Sequence, residues 1–404
     1  MKIDQLNEFV KTGAAFRRRR RLQPVGGVGD KIFPPTYPGK NTPEHVFEIR
    51  RVGGDNVVCV LIDSVQSQAN RLEEALLEAA REGGLRLPRI VVDFASAGLN
   101  SVPDISSLDA PHRIFDAILR DSELDGVAFR HTDIGTRVRT AKLHDASAIL
   151  EVSPTALLFG AWNSTGEGGG MGAKFARAIV SEIIGVGVPV EETQDKQTGE
   201  LKLRTAGRRT GSRIDPLGII KSVDVYKSDE GWDISQESAG KKAKKARPSE
   251  INHGNIAPSV DMLGVTCDYA EQICVITLAG LRRLRFGNDE QKNIAARSYL
   301  AALGLVALAE VDRQGYSLRS RCDLVCEGDA PLEAVLPDGS TIPVQIDIDA
   351  ARALYEQAYD AAIKAGFALT AEPLKLKPQG KLVHIVRESQ NKALADEGDD
   401  ESKD

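Results

Sequence analysis

The sequence predicts an α+β fold with large insertions, because strands and helices alternate irregularly around a long polar excursion. Residues 57–62 and 89–94 have the apolar runs of buried strands, and residues 291–312 and 349–365 have the apolar spacing of helices. Residues 190–260 are polar and lack periodic apolar positions, which favours a protruding insertion with a flexible lysine-rich loop. No period of 20–50 residues recurs, which argues against a solenoid.

The remaining elements are predicted from local signals. A polar turn at 64–71 leads into a helix that ends at Gly83-Gly84. Glycines and prolines break any regular pattern in residues 1–50, so this segment is expected to be irregular. We further expect helices at 110–120 and 174–184, a short strand or turn at 155–159, strands at 271–286 and 316–325, and a hairpin turn at 337–339.

The composition predicts a cytoplasmic protein with a substantial core. A length of 404 residues suits one large elaborated domain or two ordinary ones. Hydrophobic residues make up 42% of the chain, which is enough to form a buried core. No apolar run approaches the ~20 residues of a membrane span. No apolar segment follows the N-terminal basic cluster, so a secretory signal is not expected either. The five cysteines form no CxxC pair, and their odd number argues against a disulfide framework.

The distribution of charge is more informative than the net charge of −6. Residues 392–404 contain six acids and two bases, which leaves the rest of the chain close to neutral. Basic residues are bunched in four runs, at 17–21, 202–213, 241–247 and 282–285. One such run is most often a solvated face, but four in an acidic chain favour contacts with a nucleic-acid backbone. The arginines at 202–213 strengthen this interpretation, because the guanidinium fork matches phosphate oxygens.

The polar strand-to-helix junction at 64–71 is a candidate anion site. Backbone N–H groups at the start of a helix favour phosphate. The side chains at the junction are donors and acceptors that look too polar for a core, namely Ser64, Gln66, Ser67, Gln68, Asn70 and Arg71. The alternative is a helix-capping cluster without a ligand, since serine and asparagine are common caps.

The motifs argue against nucleotide hydrolysis. The glycine-rich segment 166–172 is followed by Ala173, Lys174 and Phe175, so it lacks the Gly-Lys-Ser/Thr ending of a P-loop. Its backbone could still cradle a phosphate. Aromatic residues make up only 5% of the chain, so base stacking is not expected to be the main source of affinity for a nucleic acid.

Metal chemistry and nucleophilic catalysis are also weakly supported. The six histidines are dispersed, and His112 with Asp116 finds no third ligand, so neither a metal nor a cofactor is expected. Cys322 and Cys326 are interpreted as core residues on one buried strand face. A histidine-based ribonuclease stays open, because such a site needs no local motif.

Several segments together resemble one family, the RAMP-superfamily backbone subunit of CRISPR type I-U (or I-G) Cascade complexes, a Cas-seven-type crRNA-binding protein. They cover about half of the chain in the expected order. The segments are FPPTYPG at 33–39, LIDSVQSQANRLE at 61–73, PHRIFDAILRDS at 111–122, PTALLFGAWNSTGEGGGMGAKFARAIVSEIIG at 154–185 and GSRIDPLGI at 211–219.

The resemblance implies a ferredoxin-like (RRM-related) palm with inserted fingers and a thumb-like hairpin. The implied divisions are an irregular N-terminal segment (1–50), a first palm part (51–189), a thumb-like insertion (190–260), a second palm part (261–388) and a disordered acidic tail (389–404).

The resemblance also implies a role in antiviral defence without catalysis. Copies of the chain would polymerise head to tail in a helical filament on the CRISPR RNA and present this guide to a target DNA strand. The other implied partners are Cas-five-type, Cas-six-type and large subunits of the effector complex, and a recruited helicase–nuclease.

The expected RNA contacts combine the charge pattern with this resemblance. They are Arg18, Arg20, Ser67, Gln68, Asn70, Arg71, His112, Arg113, Trp162, Lys174, Arg177, Arg204, Arg208, Arg209 and Arg213. Two alternatives remain open: a RAMP endoribonuclease that processes the CRISPR transcript, and a scaffold that binds only protein partners.

Overall fold

A computed structural model of the chain describes residues 1–39, 44–163, 174–194, 199, 201–228, 231–240 and 242–396. The chain divides into two compact units. The large unit comprises residues 1–205 and 265–379, and the small unit comprises residues 206–264 and the segment from residue 380 onward.

The helices and strands are numbered in chain order over both units. The helices are α1 (Ile3–Thr12), α2 (Val65–Arg81), α3 (Ala117–Arg120), α4 (Asp133–Thr140), α5 (Ser147–Val152), α6 (Pro154–Phe159), α7 (Gln236–Ala239), α8 (Leu278–Leu281), α9 (Glu290–Gln314), α10 (Ile348–Lys364) and α11 (Gly380–Asp396). The first strands are β1 (Ala15–Pro24), β2 (Phe47–Val52), β3 (Asp55–Asp63), β4 (Ile90–Val92), β5 (Ile105–Ser106), β6 (Ser122–Leu124), β7 (Val127–Ala128), β8 (Ala161–Trp162), β9 (Lys174–Phe175), β10 (Ile179–Val186), β11 (Val190–Gln194) and β12 (Leu201–Thr205). The later strands are β13 (Arg209–Arg213), β14 (Val225–Ser228), β15 (Gly231–Asp233), β16 (Lys244–Ala246), β17 (Ile256–Asp261), β18 (Tyr269–Thr277), β19 (Tyr316–Arg319), β20 (Cys322–Cys326), β21 (Leu332–Val335), β22 (Thr341–Val344) and β23 (Leu374–Pro378).

The large unit is organised around an antiparallel sheet with strand order β19-β20-β1-β18-β10-β3-β2, and β21 and β22 extend it from β1. Strand β1 lies in the middle: it pairs with β18 over Ala15 to Leu22, and its other edge pairs with β20 and β21. Together with its helices this sheet confirms the predicted α+β class with insertions.

Helix α9 forms the centre of the helical layer and packs against α1, α2 and α10. It is long and apolar enough to cross a membrane, but 89% of its apolar window is buried inside the protein. Its central residues, from Tyr299 to Val306, are all buried. A helix that is apolar on every side is expected in a core.

Strand β1 contains the arginine run 17–21, so the prediction of an irregular segment at 1–50 was wrong. The apolar ends of the strand, Phe16 and Leu22, are both fully buried, and helix α1 precedes it. Five consecutive arginines concealed the period-2 pattern, because charged side chains in a strand interior require partners that the sequence does not reveal.

Several local predictions were confirmed. Helix α2 follows β3, and Ser64 caps it by accepting a hydrogen bond from the Ser67 backbone N–H at 3.2 Å. Helices α9 and α10 lie within two residues of the predicted bounds. The turn at 337–339 joins β21 to β22 as an antiparallel hairpin.

Other predictions were wrong because tertiary pairing overrides local pattern. Residues 174–184 form β9 and β10 instead of a helix, and β10 pairs on both edges with β18 and β3. Residues 154–159 form helix α6, which begins at Pro154. The helix predicted at 110–120 is a 3₁₀ turn at 113–115 followed by α3, and the strand at 271–286 ends at Thr277, where α8 begins.

Two further expectations differ from the structure. Cys322 is fully buried, but Cys326 at the end of the same strand is exposed, so the two do not share a buried face. Helix α11 continues to Asp396, so residues 389–396 are helical, whereas residues 397–404 lie outside the described residues.

The segment 190–260, expected as one insertion, is divided between the two units. The hairpin of β11 and β12 belongs to the large unit, and the small unit begins at residue 206.

Candidate nucleic-acid interface

The buried carboxylate of Asp63 organises the start of helix α2. Asp63 is fully buried at the end of β3. Its oxygens accept hydrogen bonds from Ser67 Oγ (2.8 Å), Gln68 Nε2 (2.7 Å), Arg71 Nε (3.0 Å) and Arg319 (3.2 Å). Three of the expected RNA contacts therefore already donate to one internal acceptor.

Gln68 is 1% exposed, which corrects the view that this junction is too polar for a core. Its Oε1 accepts hydrogen bonds from Ser181 Oγ at 2.8 Å and from Gln272 Nε2 at 2.9 Å. Both the nitrogen and the oxygen of this amide are thus hydrogen-bonded inside the protein. Gln66 and Asn70 on the same helix are the most exposed side chains of the junction, and Ser64, Ser67 and Arg71 are partly exposed.

Arg18 and Arg20 point to the helical layer. Arg18 is 6% exposed, donates to both oxygens of Asp312 on α9, and reaches Gln272 at 2.9 Å. Arg20 lies 2.8 Å from the same carboxylate. Because neighbouring residues of a strand face opposite sides, the arginines on the other face of β1 are Arg17, Arg19 and Arg21. The sequence therefore identified the basic run, but neither the strand that carries it nor the face of that strand that is accessible.

The arginines of the other face of β1 are held by their own partners. Arg17 bonds Glu333 at 2.8 Å and Arg19 bonds Glu271 at 2.7 Å. The guanidinium of Arg21 lies 4.1 Å from the centre of the Tyr269 ring. This face is accordingly a mosaic of opposite charges, which does not make a strong phosphate-binding surface.

Five of the expected contacts line one cavity of about 290 Å³ in the large unit. It lies between the segment 111–113, the end of α6 and the hairpin of β8 and β9. Among the described residues that line it, none is acidic. The five are His112, Arg113, Trp162, Lys174 and Arg177.

Trp162 and Lys174 are paired across the β8–β9 hairpin. The Trp162 side chain is 52% exposed, and Lys174 Nζ lies 5.6 Å from the centre of its ring. The result is an exposed aromatic face beside an ammonium group. The glycine-rich segment 166–172, which joins the two strands, lies outside the described residues.

Arg113 and Arg177 form the inner wall of the cavity. Arg113 donates two hydrogen bonds of 2.6 Å to the buried carboxylate of Glu73 and a third, of 3.0 Å, to the Gly160 carbonyl. Arg177 Nε donates to the Phe159 carbonyl at 3.0 Å. Arg113 is therefore a residue that fixes the wall of the cavity.

The electrostatics of this wall are set by burial. Burial raises the pKa of Glu73 to about 7, against the opposing effect of the bonds from Arg113. Burial and the neighbouring Arg113 cation lower the pKa of Arg177. Gly160 has a φ of +85°, and a Cβ there would lie 3.0 Å from the backbone nitrogen of Arg177, so the close approach requires glycine.

The four arginines expected at 202–213 do not form one cluster of free cations. Arg204 belongs to the large unit and lies 3.9 Å from Glu44. In the small unit, Arg209 pairs with Asp261 at 2.9 Å, Arg208 donates to the carbonyls of Ala206 and Gly207, and Arg213 donates to the Asn252 carbonyl. Arg204, Arg208 and Arg209 remain exposed.

Sequence reasoning missed the buried acids that position Arg71 and Arg113. Asp63 and Glu73 lie within recognisable strand and helix patterns, and nothing local marks them as buried partners.

Sequence reasoning also missed a small cavity of about 80 Å³ next to Asn163, with Phe115 and Phe129 in its wall. Arg120, Arg130 and Arg139 line this cavity, and the scattered bases between residues 120 and 139 were the signal available for it. In the described part of the chain, no group of histidine, cysteine, aspartate and glutamate side chains could hold a metal.

The comparison with protein families gives a match that includes the cavity lined by Trp162 and Lys174. Residues 16–190 match the family model described as CRISPR-associated protein GSU0053 (Cas_GSU0053). The matched segment runs from β1 to the start of β11 and is somewhat less than half of the chain. A comparison with curated proteins gives no match.

Proposed function

We propose that this chain, whose residues 16–190 match a family of CRISPR-associated proteins, is a member of such a family and a non-catalytic RNA-binding subunit of a CRISPR effector complex. In this proposal copies of the chain assemble head to tail along a guide RNA in the cytoplasm. The guide is held by its backbone and displayed to a target DNA strand. The α+β fold with insertions is compatible with a ferredoxin-like palm carrying fingers and a thumb.

The observation that carries the proposal is the cavity between segment 111–113 and the β8–β9 hairpin. An exposed indole with a lysine beside it suits a single-stranded nucleic acid, because a base stacks on the ring while the cation approaches a phosphate. The described residues that line the cavity include Arg113, Lys174 and Arg177 and no acid. A site of this chemistry attracts phosphate and is indifferent to base identity.

The inner wall supports the same interpretation. The bonds that Arg113 makes to Glu73 and Gly160 hold the segment bearing His112 in place before any ligand arrives. Such preorganisation reduces the entropy lost on binding. Asn70 and Arg71 on α2 and the exposed arginines at 204, 208 and 209 are proposed as further backbone contacts.

RNA retention tests the proposal most directly. The full chain, purified without nuclease treatment, is expected to carry nuclease-protected RNA that is released by high salt, because phosphate contacts are salt-dependent. Absorbance at 260 nm and end-labelling of the extracted nucleic acid would detect it. A chain that carries no RNA and binds none when RNA is supplied would instead be a scaffold for protein partners.

The endoribonuclease alternative has one observation in its favour. His112 is exposed in the same cavity as Lys174 and Arg177, and a histidine beside two cations can serve in RNA cleavage. Incubation with labelled CRISPR repeat RNA separates the two functions. We expect no cut; site-specific cuts that disappear in the His112→Ala variant would assign the chain as an enzyme.

A further inference from the structure

In the loop 214–220 of the small unit, the apolar side chains are exposed to solvent and the acidic side chain is buried. In residues 214–220 the exposed fractions of Ile214, Leu217 and Ile220 are 85%, 71% and 63%. Asp215, between them, is only 5% exposed. This is the reverse of the usual arrangement in a surface loop, and contiguous exposed apolar groups mark interaction sites.

The carboxylate of Asp215 holds this loop in one shape. Its two oxygens accept hydrogen bonds from the backbone N–H groups of Leu217 (3.2 Å) and Gly254 (2.8 Å). Its own N–H donates to Asn255 Oδ1 at 2.7 Å, and the Gly218 N–H closes a turn on its carbonyl at 3.0 Å. The apolar side chains are therefore presented by a preordered backbone, which lowers the entropic cost of docking.

The loop is not part of the core of its own unit. The apolar cluster of the small unit consists of Val225, Ala246 and Ile251. Ile214, Leu217 and Ile220 lie outside this cluster, so the packing of the small unit does not account for them. Their presence requires another explanation, and a partner with an apolar cavity is the simplest.

The large unit has a cavity of the matching kind, separate from the candidate RNA site. It has a volume of about 710 Å³ and lies between α9, the β21–β22 hairpin and the start of α10. Leu305, Leu308 and Leu332 form part of its wall. The volume falls in the range of about 300–1,000 Å³ that encloses a bound group.

The charges around the two surfaces are complementary. Arg213 and Lys221 flank the loop. Three acids (Asp312, Asp329 and Asp347) and two arginines (Arg18 and Arg20) line the cavity. Both arginines pair with Asp312, so the other two acids, Asp329 and Asp347, are the ones available to a basic partner. Arg213 and Lys221 beside the exposed apolar loop would thus meet Asp329 and Asp347 of a cavity whose lining is part apolar and part polar, which favours one orientation of docking. The match lies between two surfaces of the same chain, so a second copy is the occupant that the chemistry favours.

We infer that the loop 214–220 of one copy docks into the α9–α10 cavity of the next copy. The contact joins two different surfaces, so it does not close on itself and can continue from copy to copy. The inference rests on the proposed function, since it names the contact by which copies would follow one another along the RNA. Leu217, at the tip of the loop, would be the central anchor.

The test compares the binding of full chains to a short RNA of about 8 nucleotides and a long RNA of about 40. Leu217→Asp replaces the central apolar side chain of the loop by a charge, and Ala330→Trp places a large side chain in the lining of the cavity. Each variant is expected to lose about tenfold or more of the cooperativity on the long RNA, because a buried leucine anchor is lost. Affinity for the short RNA should be unchanged, since neither residue lies at the candidate RNA site.

A charge exchange serves as the second measurement. Lys221→Asp and Asp329→Lys should each weaken cooperativity by about twofold to fivefold, and the double variant should recover it. Val28→Asp, at a 76% exposed apolar residue of the large unit, is the matched control and should change nothing. Unchanged cooperativity in both Leu217→Asp and Ala330→Trp would overturn the inference. If the wild-type chain bound neither RNA, the proposed function would fail, and sedimentation of concentrated RNA-free chain would still test the docking contact.

Discussion

Glu73 of helix α2 and Arg113 face each other as a bidentate ion pair in which both N–O distances are 2.6 Å. The two residues are 1% and 9% exposed. Arg113 has a φ of 53°, a backbone conformation that costs free energy for a residue with a side chain. The pair and the bond to Gly160 compensate this strain and join α2 to the hairpin that carries Trp162.

Removing one partner of this pair should destabilise the protein strongly. Arg113→Ala leaves the Glu73 carboxylate buried without its cation, so we expect the free energy of unfolding at neutral pH to fall by about 3–5 kcal/mol. Urea denaturation followed by circular dichroism measures it. Arg81→Ala, which removes an exposed pair with Glu78 on the same helix, should cost about 1 kcal/mol or less. Equal losses in the two variants would refute the structural role of Arg113.

The pH dependence of stability should carry the signature of Glu73. Its pKa is about 7 in the folded protein against an ordinary value of 4.5, so the folded state binds the proton more tightly. Its contribution to stability is therefore largest below about pH 4.5 and is lost as the pH rises through 7, by up to about 3 kcal/mol. In Glu73→Gln this loss should be absent from a series of urea titrations. A variant whose stability falls with pH as steeply as that of the wild type would contradict the assignment.

The sequence predicted the regular elements well where local pattern and tertiary packing agree. Helices α9 and α10 are examples, because their apolar residues are continuous or periodic over more than four turns. It failed at residues 174–184, where apolar residues are dense enough to suit either structure. Pairing of β10 with β18 and β3 decides the outcome there, and a single sequence does not show which strands become neighbours.

The candidate site was predicted in part for the same reason. The histidine, tryptophan, lysine and arginines around the cavity lie in segments that resemble a known family, and this resemblance marked them together with the charge pattern. Whether a polar side chain is exposed depends on a distant partner. Hydrogen bonds to Ser181 and Gln272 hold Gln68 inside the protein, and hydrogen bonds to Asp312 hold Arg18 there. Such partners are separated by 100 residues or more, and no local signal connects them.

The two faces of β1 should respond differently to substitution. Arg18→Ala removes a buried guanidinium and its three hydrogen bonds to Asp312 and Gln272, and we expect a loss of about 3 kcal/mol. The side chain of Arg19 is 58% exposed beside Glu271. Arg19→Ala should therefore lower the free energy of unfolding by about 1 kcal/mol or less. Denaturant midpoints of the two alanine variants measured side by side provide the test. The assigned strand register would be wrong if Arg19→Ala were the more damaging change.

Lys174 is expected to contribute one phosphate contact. Its replacement by alanine should flatten the dependence of log Kobs on log salt concentration by roughly 0.7, the value for one single-strand phosphate. Filter binding at several salt concentrations gives the slope. Lys364→Ala, an exposed lysine on α10 outside the cavity, is the control and should leave the slope unchanged. An unaltered slope in Lys174→Ala would remove this lysine from the RNA path.

The indole of Trp162 should report directly on RNA binding. The chain has two tryptophans, and Trp232, in the small unit, is 46% exposed against 52% for Trp162. The variant Trp232→Phe therefore leaves one reporter at the cavity, and base stacking on it should quench its fluorescence as RNA is added. In Trp162→Phe, Trp232 provides a signal of similar exposure that should stay nearly constant. Trp162→Ala should also weaken binding by about 1–3 kcal/mol, and full affinity in that variant, or equal quenching of both tryptophans, would place the RNA elsewhere on the protein.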